Sequence, residues 1–353
     1  MASRGECALE VAYYEKSADD SPWQPETLEP WETVMPGGVC GKGRVRCHWN
    51  YPLPDVSVFH RVIVNAPLTA LTTQALFRRL SKKSSPAWFF WGEKLMRRSG
   101  WRGYIQKTLA APLKNARAIV AIGRIARSDY QRRFSGAIVH DIPYACDLSN
   151  FQKAATHRAT KQACRFLFVG QMIPRKGVDV LLAAFSRLVA ESHPVELHLA
   201  GREGELHRWL SELTSAVRDR VTYHGFLQPK ELPEAFSNAD VFVLPSRHDG
   251  WGVVINQALG AGLPVITSTA TGAGRDLVED GIEGIHVPPG EVEPLLKAMR
   301  ELACDPGMRQ RQAAAATKKS MSLAPALIAE KWMKVLCDSG STPEPTPHSA
   351  RQG

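Results

Sequence analysis

The side chains best suited to chemistry lie in two short loops of the second half of the sequence. One loop contains the adjacent cations Arg175 and Lys176, and the other contains Asp249, followed by Gly250 and Gly252. Cations beside a helix start suit a diphosphate, and a glycine-containing loop that enters a helix presents amides without intrahelical partners. A lone basic pair usually faces solvent, but two such loops at one sheet edge predict a site for a phosphate-bearing ligand.

Gln257 adds another polar side chain to the second loop. It lies eight positions after Asp249, on the predicted helix that follows the glycines. A carboxylate and an amide can both accept hydrogen bonds from hydroxyl groups, and the amide can also donate. We therefore expect Asp249 and Gln257 to contact the part of the ligand that carries the phosphates.

Alternating strand and helix patterns surround both loops. The predicted strands are 165–169, 196–200, 221–224, 241–244, 264–267 and 284–287. The predicted helices are 178–192, 205–217, 229–238, 253–261, 274–280, 291–304 and 307–319. Strands that alternate with helices through short loops predict a parallel sheet covered on both faces, with ligands at the carboxyl ends of the strands. Both loops fall at that edge.

The first half of the sequence also has a doubly wound pattern. Its predicted strands are 9–13, 56–59, 62–64, 87–90, 118–122 and 137–139. Its predicted helices are 67–80, 103–115 and 124–134. The first strand resembles the second strand of such a domain, and the segment 17–47, rich in Pro, Gly and Trp, is expected to be a long irregular loop that includes Gly37 and Gly38. We therefore expect an abbreviated first domain.

The length of 353 residues suits two domains. The expected organisation is an N-terminal acceptor-side domain over 1–150, a polar linker over 151–162 and a C-terminal donor domain over 163–320. A helix over 321–338 is expected to cross back to the first domain, and the tail 339–353 to be disordered.

The net charge of +9 is concentrated in one region. Between residues 78 and 133 there are fifteen Lys or Arg and two acids, interleaved with the aromatic residues Trp88, Phe89, Phe90, Trp91, Trp101 and Tyr104. This pattern fits either a solvated face with core aromatics or a basic surface for anionic lipid headgroups or an anionic acceptor. A nucleic-acid partner is not expected, because no recognised nucleic-acid-binding motif accompanies the charge.

Other features of the sequence suggest a cytoplasmic protein, associated with a membrane at most peripherally. No apolar run approaches the length of a membrane span, and the first residues lack the pattern of a secretory signal. The seven cysteines are odd in number, scattered and without a CxxC pair. We expect reduced thiols and no metal site or bound cofactor.

The motifs of the second half resemble the donor domain of the GT-B glycosyltransferases of family 4, the retaining glycosyl transferases group 1. The resemblance extends over about 165–305, in order and in register, and rests on the segments 168–171, 175–179, 181–185, 199–201, 224–226, 239–246, 249–252 and 257–266. The first half is similar only at 121–130 and 142–151. The resemblance implies two Rossmann-like domains that face each other across a cleft.

The resemblance also implies a function. Such an enzyme moves a sugar from a nucleotide-diphospho-sugar to an acceptor such as a polysaccharide or a glycolipid. Lys176 and Arg175 would bind the diphosphate and stabilise charge on the departing phosphate, and Asp249 would contact the sugar hydroxyls. The implied donor-binding residues are Gly170, Gln171, Arg175, Lys176, Asp249, Gly250, Trp251, Gly252, Val253 and Gln257. No metal is expected, because the cations replace it.

Three positions depart from the family pattern. Gln257 stands where an acid usually holds the ribose hydroxyls, and Gln171 stands where many members have an arginine. Glu93 follows a predicted strand at the place where a His-Gly pair often approaches the reacting sugar, which makes it a candidate acceptor-side or catalytic residue beside Asp249 and Lys176. A surface glutamate is the alternative interpretation of Glu93.

Two further functions stay open at this point. The departure at Gln257 and the abbreviated start also fit a catalytically impaired sugar-nucleotide-binding or scaffold protein derived from such an enzyme. Another GT-B-like enzyme, such as a sugar-nucleotide epimerase or a phosphorylase, is the third alternative.

Overall fold

The computed structural model describes residues 7–15, 28–40, 47–96, 98–155 and 162–337, and it contains two parallel sheets of different size. The larger sheet has six strands in the order β11-β10-β9-β12-β13-β14. These strands are β9 (Cys164–Val169), β10 (Val195–Ala200), β11 (Val221–Tyr223), β12 (Val241–Leu244), β13 (Val265–Ser268) and β14 (Gly284–Val287).

Helices cover both faces of this sheet. They are α5 (Val178–Ala190), α6 (Leu206–Ser211), α7 (Ser215–Arg218), α8 (Leu232–Ser237), α9 (Val254–Gly260), α10 (Gly272–Leu277), α11 (Val292–Cys304) and α12 (Pro306–Met321). The central strand β12 is a continuous apolar run with every residue buried, as expected for a parallel strand covered on both faces. Phe166, Leu167 and Phe168 of β9 are all fully buried in a single core.

The smaller sheet has four parallel strands, in the order β5-β6-β7-β8. The strands are β5 (Arg61–Val64), β6 (Ala87–Gly92), β7 (Ala118–Ala121) and β8 (Val139–Asp141). The helices between them are α1 (Leu71–Leu80), α2 (Gly100–Ala110) and α3 (Arg124–Arg133). A 3-10 turn, Ala111–Asn115, extends α2.

The two faces of the smaller sheet are covered by parts of the chain that are far apart in sequence. Trp88 and Phe90 of β6 pack with residues of α1 and α3, whereas Phe89 packs on the opposite face. That opposite face is covered by Ile328 and Trp332 of α13 (Pro325–Cys337), the last helix described. The C-terminal helix therefore lies on the N-terminal sheet.

Four short strands precede the smaller sheet, and they correct two sequence predictions. β1 (Val11–Tyr13) pairs with β2 (Glu32–Val34) and lies outside the main sheet, so it does not act as a second strand of that sheet. Gly37 and Gly38 lie in β3 (Gly37–Cys40), which pairs antiparallel with β4 (Cys47–Asn50) and not in an irregular loop.

The predicted strand at 56–59 is also wrong, because Val56–Val58 form a 3-10 turn capped by Asp55.

The predicted linker over 151–162 also needs correction. Residues Ser149–Ala155 form a helix, α4, that packs on α8 and α9. Phe151 of α4 is buried, with its ring centroid 5.4 Å from that of Phe236. The first part of 151–162 therefore belongs to the C-terminal core, because one aromatic residue anchors an otherwise polar segment. Residues 156–161 and the tail predicted over 339–353 lie outside the described residues.

Candidate active site

The two loops predicted to hold a phosphate ligand lie side by side. They follow β9 and β12, which are neighbours in the sheet. Residues Pro174–Lys176 form a 3-10 turn that ends at Gly177, whose φ is 74°. A Cβ atom at Gly177 would lie 2.3 Å from the carbonyl oxygen of Pro245, so only glycine permits this approach of the two loops.

Lys176 and Asp249 meet at this junction. The Nζ atom of Lys176 donates to Oδ2 of Asp249 over 2.5 Å, and both side chains are largely buried. Arg175 remains more open, because its guanidinium donates to the carbonyl of His248 over 3.0 Å and lies 3.9 Å from Oδ1 of Asp249. The structure thus brings together, at this junction, two cations and one carboxylate of the sequence prediction.

Arg247 holds the two loops together, and the sequence analysis did not identify it. Its guanidinium forms two hydrogen bonds, of 2.7 and 2.6 Å, with the carboxylate of Asp179 at the start of α5. Its backbone amide donates to the carbonyl of Arg175 over 2.8 Å. The pair fixes the turn that carries Lys176, but Arg247 and Asp179 lie far apart in sequence, and no motif relates them.

The backbone of Asp249 is fixed from its other side. Its amide donates to the carbonyl of Ala270 over 3.2 Å, and its carbonyl accepts from the amide of Gly272 over 3.2 Å. These bonds connect the loop to the segment between β13 and α10. Asp249 therefore sits on rigid backbone, which suits a group that must hold a ligand in one orientation.

A cavity of about 330 Å³ opens beside these loops at the carboxyl ends of β9 and β10. The predicted residues Gly170, Gln171, Val253 and Gln257 line it. The Oε1 atom of Gln257 is buried and has no hydrogen-bond partner among the described residues. A buried acceptor without a partner is costly, so a ligand that donates a hydrogen bond there would satisfy it.

Trp251 takes a different place from the other residues of its loop. Its ring is buried, and its Nε1 donates to Oδ1 of Asn256 over 3.0 Å. A Cβ atom at Gly123 would lie 2.7 Å from this ring, and the ring of Tyr144 contacts it edge-on at 6.5 Å between centroids. The Trp251 side chain is therefore packed between the two halves of the molecule, and only its backbone can face a ligand.

Asn256, which orients this ring, was also missed. Its Nδ2 donates to the carbonyl of Tyr144 over 3.3 Å, so it connects α9 to the N-terminal half. The sequence feature that could have identified Asn256 is its position as a polar residue next to Gln257 in an otherwise apolar helix.

Glu93 approaches the loop of Asp249 and Gly250 from the opposite half. A Cβ atom at Gly250 would lie 1.8 Å from Oε2 of Glu93, so the carboxylate packs directly on the Gly250 backbone. The side chain keeps contact with solvent. Crowding by the protein raises the pKa of Glu93, and the negative charge of Asp249 adds to that shift, while Lys176 and Arg175 oppose it.

The described residues contain no group of three or more His, Cys, Asp or Glu placed to hold a metal ion. In the same part of the chain, no helix is long and apolar enough to cross a membrane.

The chain shares sequence with named glycosyltransferases. The family model described as Glycosyl transferases group 1 matches residues 163–305. An alpha-D-kanosaminyltransferase of Streptomyces kanamyceticus is 33% identical over 42% of this chain and 38% of its own length. A phosphatidyl-myo-inositol mannosyltransferase of Mycolicibacterium smegmatis is 31% identical over 56% of this chain and 52% of its own length. The chain thus spans about half or less of these curated relatives.

Solved structures resemble the whole arrangement of two sheets. Anabaena HepE, solved in complex with UDP, has a TM-score of 0.66 at 18% identity and covers 80% of both chains. A sucrose-phosphate synthase from Thermosynechococcus elongatus has a TM-score of 0.65 at 22% identity, over 79% of this chain and 73% of its own. These likenesses confirm the predicted GT-B fold, with an N-terminal sheet smaller than the C-terminal one.

Proposed function

We propose that this chain transfers a sugar from a nucleotide-diphospho-sugar to an acceptor, with retention at the anomeric carbon, because residues 163–305 match the family model described as Glycosyl transferases group 1. The contact between Lys176 and Asp249 carries the proposal, since it joins a cation and a hydroxyl-binding carboxylate at 2.5 Å. The cavity lined by Gln257 lies at the same edge of the sheet and offers room for the nucleoside.

The reaction requires the bond between the anomeric carbon and the diphosphate oxygen to break. Lys176, with Arg175, stabilises the negative charge that develops on the departing diphosphate, as fixed cations do in a site shielded from water. The acceptor hydroxyl forms the new bond to the anomeric carbon. In a transfer with retention, its proton passes to the departing phosphate oxygen or to Glu93, whose carboxylate packs on the Gly250 backbone.

The relatives support the choice of donor and leave several acceptor classes open. Anabaena HepE was also solved in complex with UDP-glucose. One relative is named a phosphatidyl-myo-inositol mannosyltransferase, which implies a lipid acceptor for that protein. For this chain we infer a nucleotide-sugar donor and a glycan or lipid-linked acceptor.

The surface of α2 supports contact with an anionic membrane. Trp101, Tyr104 and Ile105 are exposed on this helix, and the guanidinium of Arg102 lies 5.3 Å from the centroid of the Trp101 ring. In contrast, Trp88, Phe89 and Phe90 are buried core residues of β6 and form no part of such a surface. Exposed aromatics beside cations suit the headgroup layer. Salt-sensitive sedimentation with vesicles that contain phosphatidylglycerol, lost in Trp101→Ala/Tyr104→Ala, tests this contact.

The central experiment compares Lys176→Ala with Lys297→Ala, an exposed lysine of α11. Thermal unfolding is measured with UDP-, GDP- and ADP-sugars, and donor hydrolysis or transfer is measured with the donor that stabilises the chain. We expect Lys176→Ala to lower turnover by about 100-fold or more, and Lys297→Ala to behave as the wild type. Undiminished turnover in Lys176→Ala would refute the role of Lys176. Donor binding without any turnover in the wild type would favour the catalytically impaired alternative.

A further inference from the structure

A second cavity, of about 550 Å³, lies between α3 of the N-terminal half and α10 of the C-terminal half. Its volume is in the range of small-molecule sites. Its charged lining residues, which we call the basic cleft, are Lys94, Arg124, Asp129, Arg132, Arg275 and Asp276. None of these residues belongs to the loop of Arg175 and Lys176, to the loop of Asp249, or to the cavity lined by Gln257.

Both carboxylates of the basic cleft are already engaged. Asp129 is almost fully buried and accepts hydrogen bonds from Arg132 over 2.5 Å and from Arg133 over 2.7 Å. Asp276 accepts from the backbone amide of Arg124 over 2.7 Å and from its Nε over 3.0 Å. Neither carboxylate is therefore free to balance another cation.

The side chains of Lys94 and Arg275, in contrast, have no carboxylate partner among the described residues. The structure gives neither side chain a hydrogen bond or an ion pair with any of the described residues. The lining of the cleft thus carries four cations and two occupied carboxylates, an excess of two positive charges among the lining residues. A phosphate monoester carries a charge of about −2 at neutral pH and offers three acceptor oxygens, so it matches this lining in both charge and hydrogen bonding.

The basic cleft adjoins the proposed reaction centre. Lys94 directly follows Glu93, whose carboxylate rests on the Gly250 backbone of the donor loop. On the other side, Gly123 separates Asp276 from the ring of Trp251, with a Cβ atom at Gly123 2.8 Å from Asp276 and 2.7 Å from the ring. The cleft and the contact of Glu93 with Gly250 are therefore neighbours in the fold.

We propose that the basic cleft binds a phosphate group of the acceptor, so that the acceptor is a phosphate ester. This inference rests on the proposed transferase function for the identity of the ligand as acceptor. The binding of phosphate by the cleft does not depend on that function and can be measured separately.

The first experiment measures binding of inorganic phosphate at constant ionic strength. The reference is the Lys176→Ala chain, because that substitution weakens the competing diphosphate site. Lys94→Gln/Arg275→Gln is added to it, and Lys297→Ala serves as the matched control. We expect saturable binding in the reference and in the control, and binding weaker by about tenfold or more without the two cations. Equal affinity in all three chains, or no saturable binding, would overturn the proposal.

The second experiment identifies the source of the phosphate in the wild-type chain. Glycerol 3-phosphate competes with inorganic phosphate if the acceptor is a soluble ester. Vesicles of phosphatidylcholine with phosphatidic acid compete, and vesicles of phosphatidylcholine alone do not, if the acceptor is a lipid. Competition by either ester that is lost in Lys94→Gln/Arg275→Gln supports the proposal. A cleft that binds inorganic phosphate but neither ester would overturn its role in acceptor binding. If the cleft binds esters but no nucleotide sugar stabilises the chain, the proposed function fails alone.

Discussion

The two halves of this molecule differ in how completely their own helices cover their sheets. The six-stranded half buries one continuous core, in which all of β9 and β12 is inaccessible to solvent. The four-stranded half buries fewer residues, and one of its faces is covered by α13, which comes from the end of the described chain. It also exposes Trp101 and Tyr104 on α2.

The difference fits the ligands that we propose for the two halves, the donor for the six-stranded half and the acceptor for the four-stranded half. Residues that contact a diphosphate must stay within a narrow geometry, and a sheet covered on both faces by its own helices provides rigid loops. An acceptor varies more in size and charge, and the four-stranded half, for which we propose the acceptor side, carries the exposed surface of α2 and four of the six charged residues of the basic cleft. The comparison predicts that substitutions in the two halves will have separable effects on stability and on ligand binding.

The largest loss of stability is expected at an ion pair of the six-stranded half. Arg165 is fully buried, and Asp240 accepts hydrogen bonds from its backbone amide at 2.9 Å, its Nε at 3.0 Å and its Nη2 at 3.2 Å. Asp240→Ala leaves a buried guanidinium without this carboxylate, which costs about 3–5 kcal/mol. Urea unfolding measures the loss, and Asp219→Ala, at an exposed position after α7, is the control. A cost below about 1 kcal/mol would contradict the account.

The next effect should be confined to the four-stranded half. Trp332 of α13 is buried and contacts the ring of Trp91 edge-on at 5.4 Å. Trp332→Ala removes this packing at a cost of about 3 kcal/mol. Hydrogen exchange should then become faster in β6 and β7 but not in β9 and β10, whereas Lys331→Ala should change neither. Uniform acceleration in both sheets would show that the halves unfold as one unit.

The same contrast explains how much of the fold the sequence predicts. The strands of the six-stranded half are short segments rich in apolar residues, and the predicted bounds 241–244 and 284–287 match β12 and β14. In the other half, the alternation Val-Ser-Val at 56–58 suggests a strand, but Asp55 caps a 3-10 turn through the amide of Ser57 at 3.1 Å. A local cap overrides a short apolar pattern.

The candidate site divides in the same way. Lys176, Asp249 and Gln257 belong to motifs within single strand–loop–helix units, so sequence order alone places them at one sheet edge. The basic cleft combines Lys94, Arg132 and Arg275 from both halves. Its residues meet only through the packing of one half on the other, which no local pattern encodes.

A smaller effect is expected at Gln257, where a substitution tests the proposed donor cavity of the six-stranded half without disturbing the fold. Gln257 lines the donor cavity, and its buried Oε1 has no partner among the described residues. Gln257→Ala should weaken binding of the stabilising nucleotide by about fivefold, since one hydrogen bond contributes about 1 kcal/mol. Gln257→Glu should largely restore affinity, because a carboxylate also accepts from a hydroxyl. Calorimetric titration measures both, and wild-type affinity in Gln257→Ala would exclude a contact with the ligand.

The smallest expected effect concerns Glu93, where the two halves meet. Crowding by the protein, with Asp249 close by, raises the pKa of this carboxyl group, so the folded state disfavours its charged form. The wild type should therefore lose stability as the pH rises from the ordinary glutamate pKa through the raised value. Because Glu93 remains open to solvent on one side, Glu93→Gln should stabilise the chain by less than about 0.5 kcal/mol at pH 8.

At pH 4 the difference should vanish, because Glu93 is then mostly protonated in both the folded and the unfolded state. Urea unfolding at the two pH values measures it, with Glu301→Gln on the exposed face of α11 as the control. A larger gain at pH 4 than at pH 8 would reverse the sign of the argument. It would mean that the ionised carboxylate gains more from Lys176 and Arg175 than it loses to burial, which would make Glu93 a partner of the donor-side cations.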